Sequence, residues 1–163
     1  MRLDVVPDGF ERLVLYAYPL TGLPGIDPPP GWDDIPGARG CTPEACGFRD
    51  HAADLAAAGA SMAGLSTQST VYQREAAARL ALPFPLLSDA ELALIRALRL
   101  PTFTVDLRPE HDGGGWRTLL RRLTFVVRGG RIERVFFPVF PPDRHAEEVL
   151  AWLGDAKAER GAP

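Results

Sequence analysis

The sequence predicts an α/β fold with a central mixed β-sheet flanked by helices. Short apolar runs typical of strands alternate along the chain with stretches of helical periodicity. The run "RLVLYAY" (12–18) is almost continuously apolar, which indicates a central strand buried on both faces. Gly129 and Gly130 separate two later apolar runs and form a hairpin signal, so antiparallel pairs are expected beside the parallel ones.

Length and composition limit the classes of protein to consider. With 163 residues, 46% of them hydrophobic and 24% charged, the chain is expected to form one domain over residues 1–163. The net charge is −3 and no long basic run occurs, which argues against nucleic acid as a partner. No run approaches the roughly 18 apolar residues of a transmembrane helix, so no membrane partner is expected.

The N-terminal segment and the cysteine count both favour a cytoplasmic protein. Charges and Pro7 interrupt "MRLDVVPDGFERLVLY" before the apolar stretch of a signal peptide can form. A reducing cytosol is therefore the expected location. In that compartment, two cysteines are more typical of a catalytic, redox or metal-binding pair than of a structural disulfide.

The first half of the chain is predicted to form a strand, a long loop, a helix and a second strand. The loop 19–40 is rich in proline and glycine, and loops longer than about 12–15 residues are usually functional or disordered. Thr42 and Pro43 are typical of a helix start, and Gly59 is typical of a helix end. A strand over 60–66 then completes a strand–helix–strand unit, which predicts a right-handed crossover between parallel strands.

The second half repeats this alternation and then ends in a hairpin and a helix. Pro101 marks a break, and the glycine-rich stretch 110–116 is expected to be a turn because it lacks the spacing of a phosphate-binding loop. The remaining predicted elements are helices near 69–81, 89–98 and 143–154 and strands near 84–88, 118–127 and 131–140.

Both cysteines of the chain, Cys41 and Cys46, fall in the first turns of the predicted helix. At about 100° per residue, Cys41 lies on the apolar face with Ala45 and Phe48, whereas Cys46 lies about 140° away from it. Cys41 is therefore expected to be half buried at the helix N-terminus. The helix dipole and the unpaired N–H groups there stabilise a thiolate, which is the reactive form of cysteine.

A disulfide between the two cysteines requires the helix to unwind. Residues five apart in an intact helix have Cα atoms about 8.7 Å apart, and a disulfide does not close beyond about 7 Å. A transient bridge coupled to local unfolding is therefore expected rather than a resting one. Two unrelated buried thiols are one alternative. A zinc site with His51 is a weaker alternative, because its remaining ligands would have to include His111 or His145.

The segment "GCTPEACGFRD" resembles the active-site segment of peroxiredoxins of the bacterioferritin comigratory protein, or peroxiredoxin Q, subfamily. Other stretches resemble this family in the same order along most of the chain: "LVLYAYP", "AGLSTQS", "LPFPLLSD", "RRLTFVV" and "HAEEVLAWL". The resemblance implies a thioredoxin-like fold and the reduction of hydrogen peroxide or organic hydroperoxides. It also implies a monomer that uses no metal or other cofactor and is recycled by thioredoxin or a similar reductant.

The resemblance also assigns roles to three residues. Cys41 matches the peroxidatic cysteine, and Cys46 matches the resolving cysteine of those members that carry one five residues later. Arg122, in "RRLTF", matches the arginine that holds the peroxide and the thiolate. A guanidinium beside Cys41 is expected to lower the pKa of its thiol. Oxidation of Cys41 would give a sulfenic acid that condenses with Cys46 to a disulfide.

The chain departs from the family's P-x-x-x-T-x-x-C motif. Pro19 keeps its place in the substrate site, but Leu23 stands where the threonine belongs, and about fifteen extra residues, 26–40, precede Cys41. Thr21 is the nearest hydroxyl, so Thr21 is expected to hydrogen-bond the thiolate or the peroxide. The N-terminal hairpin usual in the family is also absent or shortened.

The inserted loop 26–40 is predicted to be an ordered Ω-loop that forms one wall of the peroxide pocket. Its prolines lower the entropy cost of ordering, and Trp32 and Ile35 give it apolar groups to bury. Arg39 is expected to be a solvated loop residue. His51, His111 and His145 are expected at the surface, and Arg121 is expected to point away from Arg122.

The same residues permit a second hypothesis about function. A redox-sensing or scaffold module on this fold would be oxidised by peroxide without efficient turnover. The displaced threonine motif favours this alternative.

Overall fold

The computed structural model describes residues 6–161, with side chains through residue 159. Residues 1–5 lie outside the described residues. They belong to the N-terminal segment that is expected not to be a signal peptide. The described strands are β1 Arg12–Ala17, β2 Ala60–Ser66, β3 Leu86–Ser88, β4 Thr102–Leu107, β5 Gly115–Leu120, β6 Leu123–Arg128 and β7 Arg131–Phe136. The described helices are α1 Cys41–Asp50, α2 Ala52–Ala57, α3 Thr70–Arg79, α4 Ala93–Leu98 and α5 His145–Gly161.

Five strands form a mixed central sheet in the order β3-β2-β1-β6-β7. The pairs β1–β2 and β2–β3 are parallel, whereas β1–β6 and β6–β7 are antiparallel. The predicted α/β fold with a mixed sheet is thus confirmed. The predicted turn at Gly129-Gly130 is also present, and both glycines adopt the positive φ values, 54° and 75°, that such a tight hairpin turn needs.

Strand β1 is buried on both faces, as its sequence predicts. Val14 and Tyr16 face one core together with α1, α2 and α5, while Leu13 and Leu15 face a second core together with α4. This alternation follows from the two-residue period of a strand. The first core carries the candidate site, because Cys41 packs in it together with Tyr16 of β1.

The helix predicted between 42 and 58 is interrupted. Helix α1 begins at Cys41 and ends at Asp50, and α2 follows after His51, which leaves helical geometry with φ −101° and ψ 9°. Neither glycine nor proline stands at this break, so no sequence signal marks it. Gly59 ends the segment as predicted, with φ +81°.

Strand boundaries in the second half differ most from the prediction. The run 118–127 is not one strand but two, since β5 ends before Arg121 and pairs with the unpredicted β4 in a separate two-stranded sheet. The stretch 110–116 contains the turn of this hairpin and the first residues of β5. Strand β7 ends at Phe136 rather than 140, where prolines lacking an N–H donor follow.

Two helix starts also differ from the prediction. Helix α4 begins at Ala93 rather than 89, because the Asp89 carboxylate accepts hydrogen bonds from the backbone N–H groups of Leu94 and Ile95, both at 3.0 Å. A 3-10 turn, Pro142–Arg144, precedes α5, which starts at His145. Within residues 6–161 there is no helix of the length and apolarity needed to cross a membrane.

Candidate active site

Cys41 is the first residue of α1 and is 4% exposed. The residue before it, Gly40, has φ +97°, a left-handed conformation that favours glycine. A Cβ on Gly40 would also lie 2.3 Å from Cγ of Pro142. The close approach of the 3-10 turn therefore requires glycine here, and it fixes the end of the helix from which the Cys41 side chain projects.

Three groups surround the sulfur of Cys41. Nη2 of Arg122 donates a hydrogen bond to Cys41 Sγ at 3.2 Å, and the backbone N–H of Leu20 donates to the same sulfur. The thiol in turn can donate to the carbonyl oxygen of Ala38 at 3.6 Å. The expected proximity of Arg122 to Cys41 is therefore present in the structure, and a backbone N–H that the sequence did not reveal joins it.

Arg122 is held by an anion and a carbonyl group. Its side chain is 3% exposed, and Nη1 forms an ion pair with Oε2 of Glu44. Its Nη2 also donates to the carbonyl oxygen of Arg39 at 2.9 Å. Glu44 lies three residues after Cys41, so both side chains share one face of α1. An acidic residue in the first turn of a helix is common, so the sequence alone does not indicate this ion pair.

Burial raises the pKa of the Cys41 thiol above its ordinary value. The positive charge of Arg122 and the Leu20 N–H act in the opposite direction, and the charge of Glu44 adds to the increase. The guanidinium therefore acts in the expected direction, but the removal of the sulfur from water outweighs it, so the net pKa of the thiol is raised. Burial also raises the pKa of Glu44 to about 7, again opposed by Arg122.

Thr21 does not occupy the predicted position against the sulfur. Its hydroxyl donates to Oε1 of Gln68 at 3.1 Å, and its backbone N–H donates to the same oxygen at 3.0 Å. Nε2 of Gln68 donates back to the Thr21 carbonyl oxygen at 3.2 Å. Among the hydrogen bonds of residues 6–161, none joins the Thr21 hydroxyl to Cys41. The expected hydrogen bond to the thiolate is therefore not formed: the hydroxyl is engaged by Gln68 after β2, and the backbone of Leu20 meets the sulfur instead. The expected hydrogen bond from Thr21 to the peroxide stays a prediction.

Pro19 is buried beside this clamp. Its carbonyl oxygen accepts a hydrogen bond from Oγ of Ser66 at 3.2 Å, at the end of β2. Together, Ser66 and Gln68 fix the segment 19–21 and thereby the Leu20 N–H that points to Cys41. Gln68 is thus a site residue that sequence reasoning missed, although it lies inside the quoted motif "AGLSTQS".

Cys46 lies on the same intact helix as Cys41. It is half-buried against the core, and both cysteines are free thiols. The structure accordingly has no resting bridge between them, in agreement with the helix geometry. Within the described residues, no three side chains of histidine, cysteine, aspartate or glutamate are grouped in a way that could hold a metal ion.

The inserted loop packs beside Cys41. Trp32 is buried, and its ring centroid lies 6.0 Å from that of Phe103 on β4. Trp32, Ala38 and Leu20 form one apolar cluster with residues of β4 and β5, and Ile35 packs against it. A pocket open to solvent is lined by Cys41 together with loop residues from Ile26 to Gly40. The predicted anchors and the predicted wall of the pocket are both present.

The remaining sequence-based expectations have mixed outcomes. Arg39 is exposed and pairs with Asp33 of its own loop, as expected for a solvated residue. His111 and His145 are each 1% exposed, so their predicted surface location is wrong. Both histidines lie in polar stretches of the sequence, and a single histidine there gives no sequence signal of burial. His145 is satisfied by Glu148 and Thr124, at 2.9 and 2.8 Å.

Comparisons with known proteins agree with this geometry. Residues 35–134 match the AhpC/TSA family. The chain is 31% identical over 148 residues to the chloroplastic peroxiredoxin Q of Sedum lineare, covering 90% of this chain and 66% of that protein. It spans 53 to 66% of the length of three such plant relatives.

Solved structures show the same fold. Peroxidoxin BcpB from Mycobacterium tuberculosis has a TM-score of 0.64 and 30% identity, covering 88% of this chain and 79% of that one. The bacterioferritin comigratory protein of Xanthomonas campestris, studied for its alkyl peroxide reduction activity, has a TM-score of 0.64 and 27% identity, covering 90% and 79%. The thioredoxin-like architecture expected from the sequence is thereby confirmed.

Proposed function

The chain belongs to the AhpC/TSA family, among the peroxiredoxins of the bacterioferritin comigratory protein and Q type, and from this premise we propose that it is a thiol peroxidase. The observation that carries the proposal is the hydrogen bond of 3.2 Å from Arg122 to Cys41 Sγ, beside a solvent-open pocket at a helix N-terminus. Its proposed substrates are hydrogen peroxide and organic hydroperoxides.

In the first step, the thiolate of Cys41 attacks one oxygen of the peroxide. An S–O bond forms and the O–O bond breaks, so the sulfur loses two electrons and becomes a sulfenic acid. The departing oxygen takes up a proton and leaves as water or an alcohol. Arg122 and the Leu20 N–H stabilise the negative charge on the attacking sulfur, because both already donate to it.

Glu44 orients Arg122 for this step. Its ion pair with Nη1 leaves Nη2 directed at Cys41, and both acidic groups compete for one guanidinium. When Glu44 holds a proton, the positive charge of Arg122 is available to the Cys41 thiolate. The pKa of Glu44, about 7, places this exchange in the neutral pH range. Glu44 is therefore a positioning residue that also tunes the charge of the site.

In the second step, Cys46 resolves the sulfenic acid. Its thiolate attacks the Cys41 sulfur, an S–S bond forms, and the hydroxyl group leaves as water after taking a proton. Because α1 separates the two Cα atoms by about 8.7 Å, its first turns must unwind for this bond to close. An external dithiol protein of the thioredoxin type then reduces the bridge and becomes oxidised itself. A monomer in the reducing cytoplasm suits this cycle.

A second candidate function rests on two specific observations. Burial raises the pKa of Cys41, and the Thr21 hydroxyl donates its hydrogen bond to Gln68. Both would slow the reaction with peroxide, as in a redox sensor that is oxidised but not turned over. The two functions differ in whether oxidised protein is continuously recycled by a reductant.

Peroxide consumption in the presence of thioredoxin, thioredoxin reductase and NADPH tests the proposal. The wild-type protein is expected to consume many equivalents of peroxide, and Cys41→Ser is expected to consume none. Cys46→Ser is expected to consume about one equivalent and then stall. Consumption of a single equivalent by the wild-type protein would favour the redox sensor. Turnover by Cys41→Ser would show that Cys41 is neither the peroxidatic cysteine of an enzyme nor the oxidised cysteine of a sensor.

A further inference from the structure

The start of α1 stabilises a thiolate at Cys41 but not at Cys46. Cys46 comes five residues after Cys41, which is the first residue of the helix. The favourable field of a helix N-terminus falls off within the first turn. Cys46 is also half-buried against the apolar side chains of the first core, and apolar surroundings oppose the charged form of a thiol. The attack of Cys46 on Cys41 therefore needs positive charge from another group.

Arg49 supplies a positive charge beside Cys46. It follows Cys46 by three residues, so the two side chains are neighbours on the surface of α1. The Arg49 guanidinium interacts with the Cys46 sulfur through its charge and through a side-chain hydrogen bond. An arginine beside a cysteine stabilises the thiolate, which is the nucleophile in disulfide formation. Each cysteine thus has an arginine of its own, Arg122 at Cys41 and Arg49 at Cys46.

Two hydrogen bonds hold the Arg49 guanidinium in this position. Nη1 donates to the carbonyl oxygen of Leu80, the residue that ends α3, at 3.0 Å. Nε donates to Oδ1 of Asp50 at 2.8 Å. Neither partner belongs to the first turns of α1, which have to unwind before the disulfide can close. The charge of Arg49 is therefore fixed from outside the part of the helix that is expected to unwind.

Charged groups on the elements around α1 have partners of their own. These pairs are Glu44 with Arg122, His51 with Asp54, Arg79 with Glu75, Arg144 with Glu147, His145 with Glu148 and Arg12 with Glu133. Asp143 approaches α1 through its backbone carbonyl, opposite Gly47. Asp50 shares the charge of Arg49, but its side chain is 62% exposed, so solvent screens its effect. Arg49 is thus in a position to act on Cys46.

We propose that Arg49 activates Cys46 for its attack on the sulfenic acid of Cys41. The guanidinium donates to the Cys46 thiolate until the S–S bond forms. In that step the S–O bond at Cys41 breaks, the Cys46 sulfur is oxidised and the Cys41 sulfur is reduced, and the hydroxyl group takes a proton and leaves as water. This inference rests on the proposed peroxidase function and adds a catalytic residue to its second step.

Alkylation of Cys46 tests the contact without any peroxide. In Cys41→Ser protein, Cys46 is the remaining thiol, and its rate of reaction with iodoacetamide against pH follows the thiolate. Adding Arg49→Ala is expected to move this pH profile to higher pH, because the thiolate loses its cation. Arg49→Lys keeps the charge and is expected to stay close to the Cys41→Ser profile. Arg96→Ala on α4, which packs against the second core, is the matched control and is expected to leave the profile unchanged.

Rapid-quench kinetics test the step itself. Protein with both cysteines is mixed with one equivalent of hydrogen peroxide, and mass spectrometry follows the loss of the sulfenic acid and the gain of the disulfide. At pH 6, Arg49→Ala is expected to form the disulfide about threefold more slowly than the wild type, since the loss of thiolate is partly offset by the greater nucleophilicity of a more basic thiolate. At pH 10 the difference is expected to disappear, because an ordinary thiol is ionised there with or without an arginine.

Asp50→Asn is expected to act in the opposite direction. It removes the acid that shares the charge of Arg49, so disulfide formation at pH 6 should be faster than in the wild type. Damage to the helix would not produce this acceleration. The rate of Cys41 oxidation, measured in the same experiment, is expected to be the same in the wild type and in all of these variants.

The outcomes separate this inference from the proposed function. An unchanged alkylation profile in Arg49→Ala would overturn the inference. Slowing of the disulfide step by the same factor at pH 6 and pH 10 would indicate a purely structural role for Arg49 and would overturn it as well. In both cases, continued oxidation of Cys41 by peroxide would leave the peroxidase intact. Absence of a disulfide in the oxidised wild-type protein would instead overturn the resolving role of Cys46, and this inference with it.

Discussion

At the scale of single residues, the site contains one cation and two acids. Arg122 bonds both Cys41 and Glu44, and all three side chains are buried. One guanidinium balances one negative charge, so ionisation of either acid opposes ionisation of the other. Burial is the main reason why the pKa of Glu44 and the pKa of Cys41 are both raised although each lies beside an arginine, and the charge of Glu44 adds to the increase for Cys41.

Replacing Arg122 tests how far its charge lowers the pKa of the Cys41 thiol. Arg122→Ala is expected to raise the pKa of the Cys41 thiol further, since the positive charge opposing burial is lost. The thiolate absorbance at 240 nm against pH measures this, with Cys46→Ser as the background. Arg121→Ala, which changes the neighbouring arginine over the ring of Phe103, is the matched control. An unchanged pKa in Arg122→Ala would assign the charge to another group.

Replacing Glu44 is expected to act in the opposite direction. Glu44→Gln keeps an oxygen that accepts from Arg122 but removes the competing charge, so the pKa of Cys41 should fall below that of the wild-type protein. The same titration measures it. A pKa that stayed the same or rose would contradict the shared-cation account.

The raised pKa of Glu44 also determines the direction in which the free energy of unfolding changes with pH. The folded state binds the proton of Glu44 up to about pH 7, whereas the unfolded chain releases it near the ordinary value of 4.5. Its contribution is therefore complete below about pH 4.5 and is lost as the pH rises through 7. Urea unfolding should show a free energy that falls over this window less steeply in Glu44→Gln than in the wild type. Glu91→Gln, at an exposed position, should keep the wild-type slope.

The sequence predicted some site residues and not others, for physical reasons. Cys41 and Arg122 lie in motifs whose residue types carry the chemistry, and their proximity was expected. The clamp on Thr21 was not, because Gln68 is far from Thr21 along the chain and an amide has no single characteristic use. Burial of His111 depends on a hairpin that itself was not predicted.

At the scale of elements, helix α1 carries both the proposed reactive cysteine and the proposed resolving cysteine, so the proposed disulfide requires this helix to unwind. It begins at Cys41 and runs unbroken past Cys46 to Asp50. Its start lies against the 3-10 turn through Gly40, and a Cβ on Gly47 would lie 3.0 Å from the carbonyl oxygen of Asp143. Helix unwinding therefore separates contacts with the segment before α5 as well as intrahelical hydrogen bonds.

Hydrogen–deuterium exchange is expected to detect this unwinding. Backbone amides of residues 41–50 should exchange faster in the disulfide form than in the reduced form, because the bridge cannot form on an intact helix. Amides of β2, residues 60–66, serve as the internal control and should be unaffected. Equal protection of α1 in both forms would contradict an intramolecular bridge between Cys41 and Cys46.

Element boundaries were predictable where a local signal marks them. The helical segment ends at Gly59, and the hairpin turns at Gly129-Gly130, as expected. The hairpin of β4 and β5 was missed because residues 118–127 were interpreted as a single strand, whereas the pairing of β5 with β4 and of β6 with β7 separates them at Arg121 and Arg122. Periodicity alone does not reveal which partner a strand chooses.

At the scale of the whole molecule, the inserted loop connects the active site with the separate β4–β5 hairpin. Trp32 packs with Phe103, and Ala38 places its carbonyl oxygen near Cys41. The packing of this loop thus helps to set the surroundings of the Cys41 sulfur. The composition of the loop indicated apolar anchors, but the surface that they contact lies on β4, which was not predicted, and on β5, which was not predicted to be separate from β6.

Removing the loop's anchor is expected to destabilise the protein and disturb the site. Trp32→Ala should lower the free energy of unfolding by about 3–5 kcal/mol, as for other buried aromatic residues. It should also slow oxidation of Cys41. Trp116→Ala is the matched control, because that side chain is 73% exposed, and its cost should stay within about 0.5 kcal/mol. Urea denaturation followed by circular dichroism measures both; equal costs would contradict the anchoring role.

In the proposed reaction, the Sγ atom of Cys41 attacks the peroxide. The most direct measurement treats reduced Cys46→Ser protein with one equivalent of hydroperoxide in the presence of dimedone and maps the adduct by tandem mass spectrometry. A dimedone adduct is expected on Cys41, and none is expected in the double variant that also carries Cys41→Ser. Peroxide consumption without an adduct on Cys41, or no reaction of Cys41 with any hydroperoxide, would contradict it.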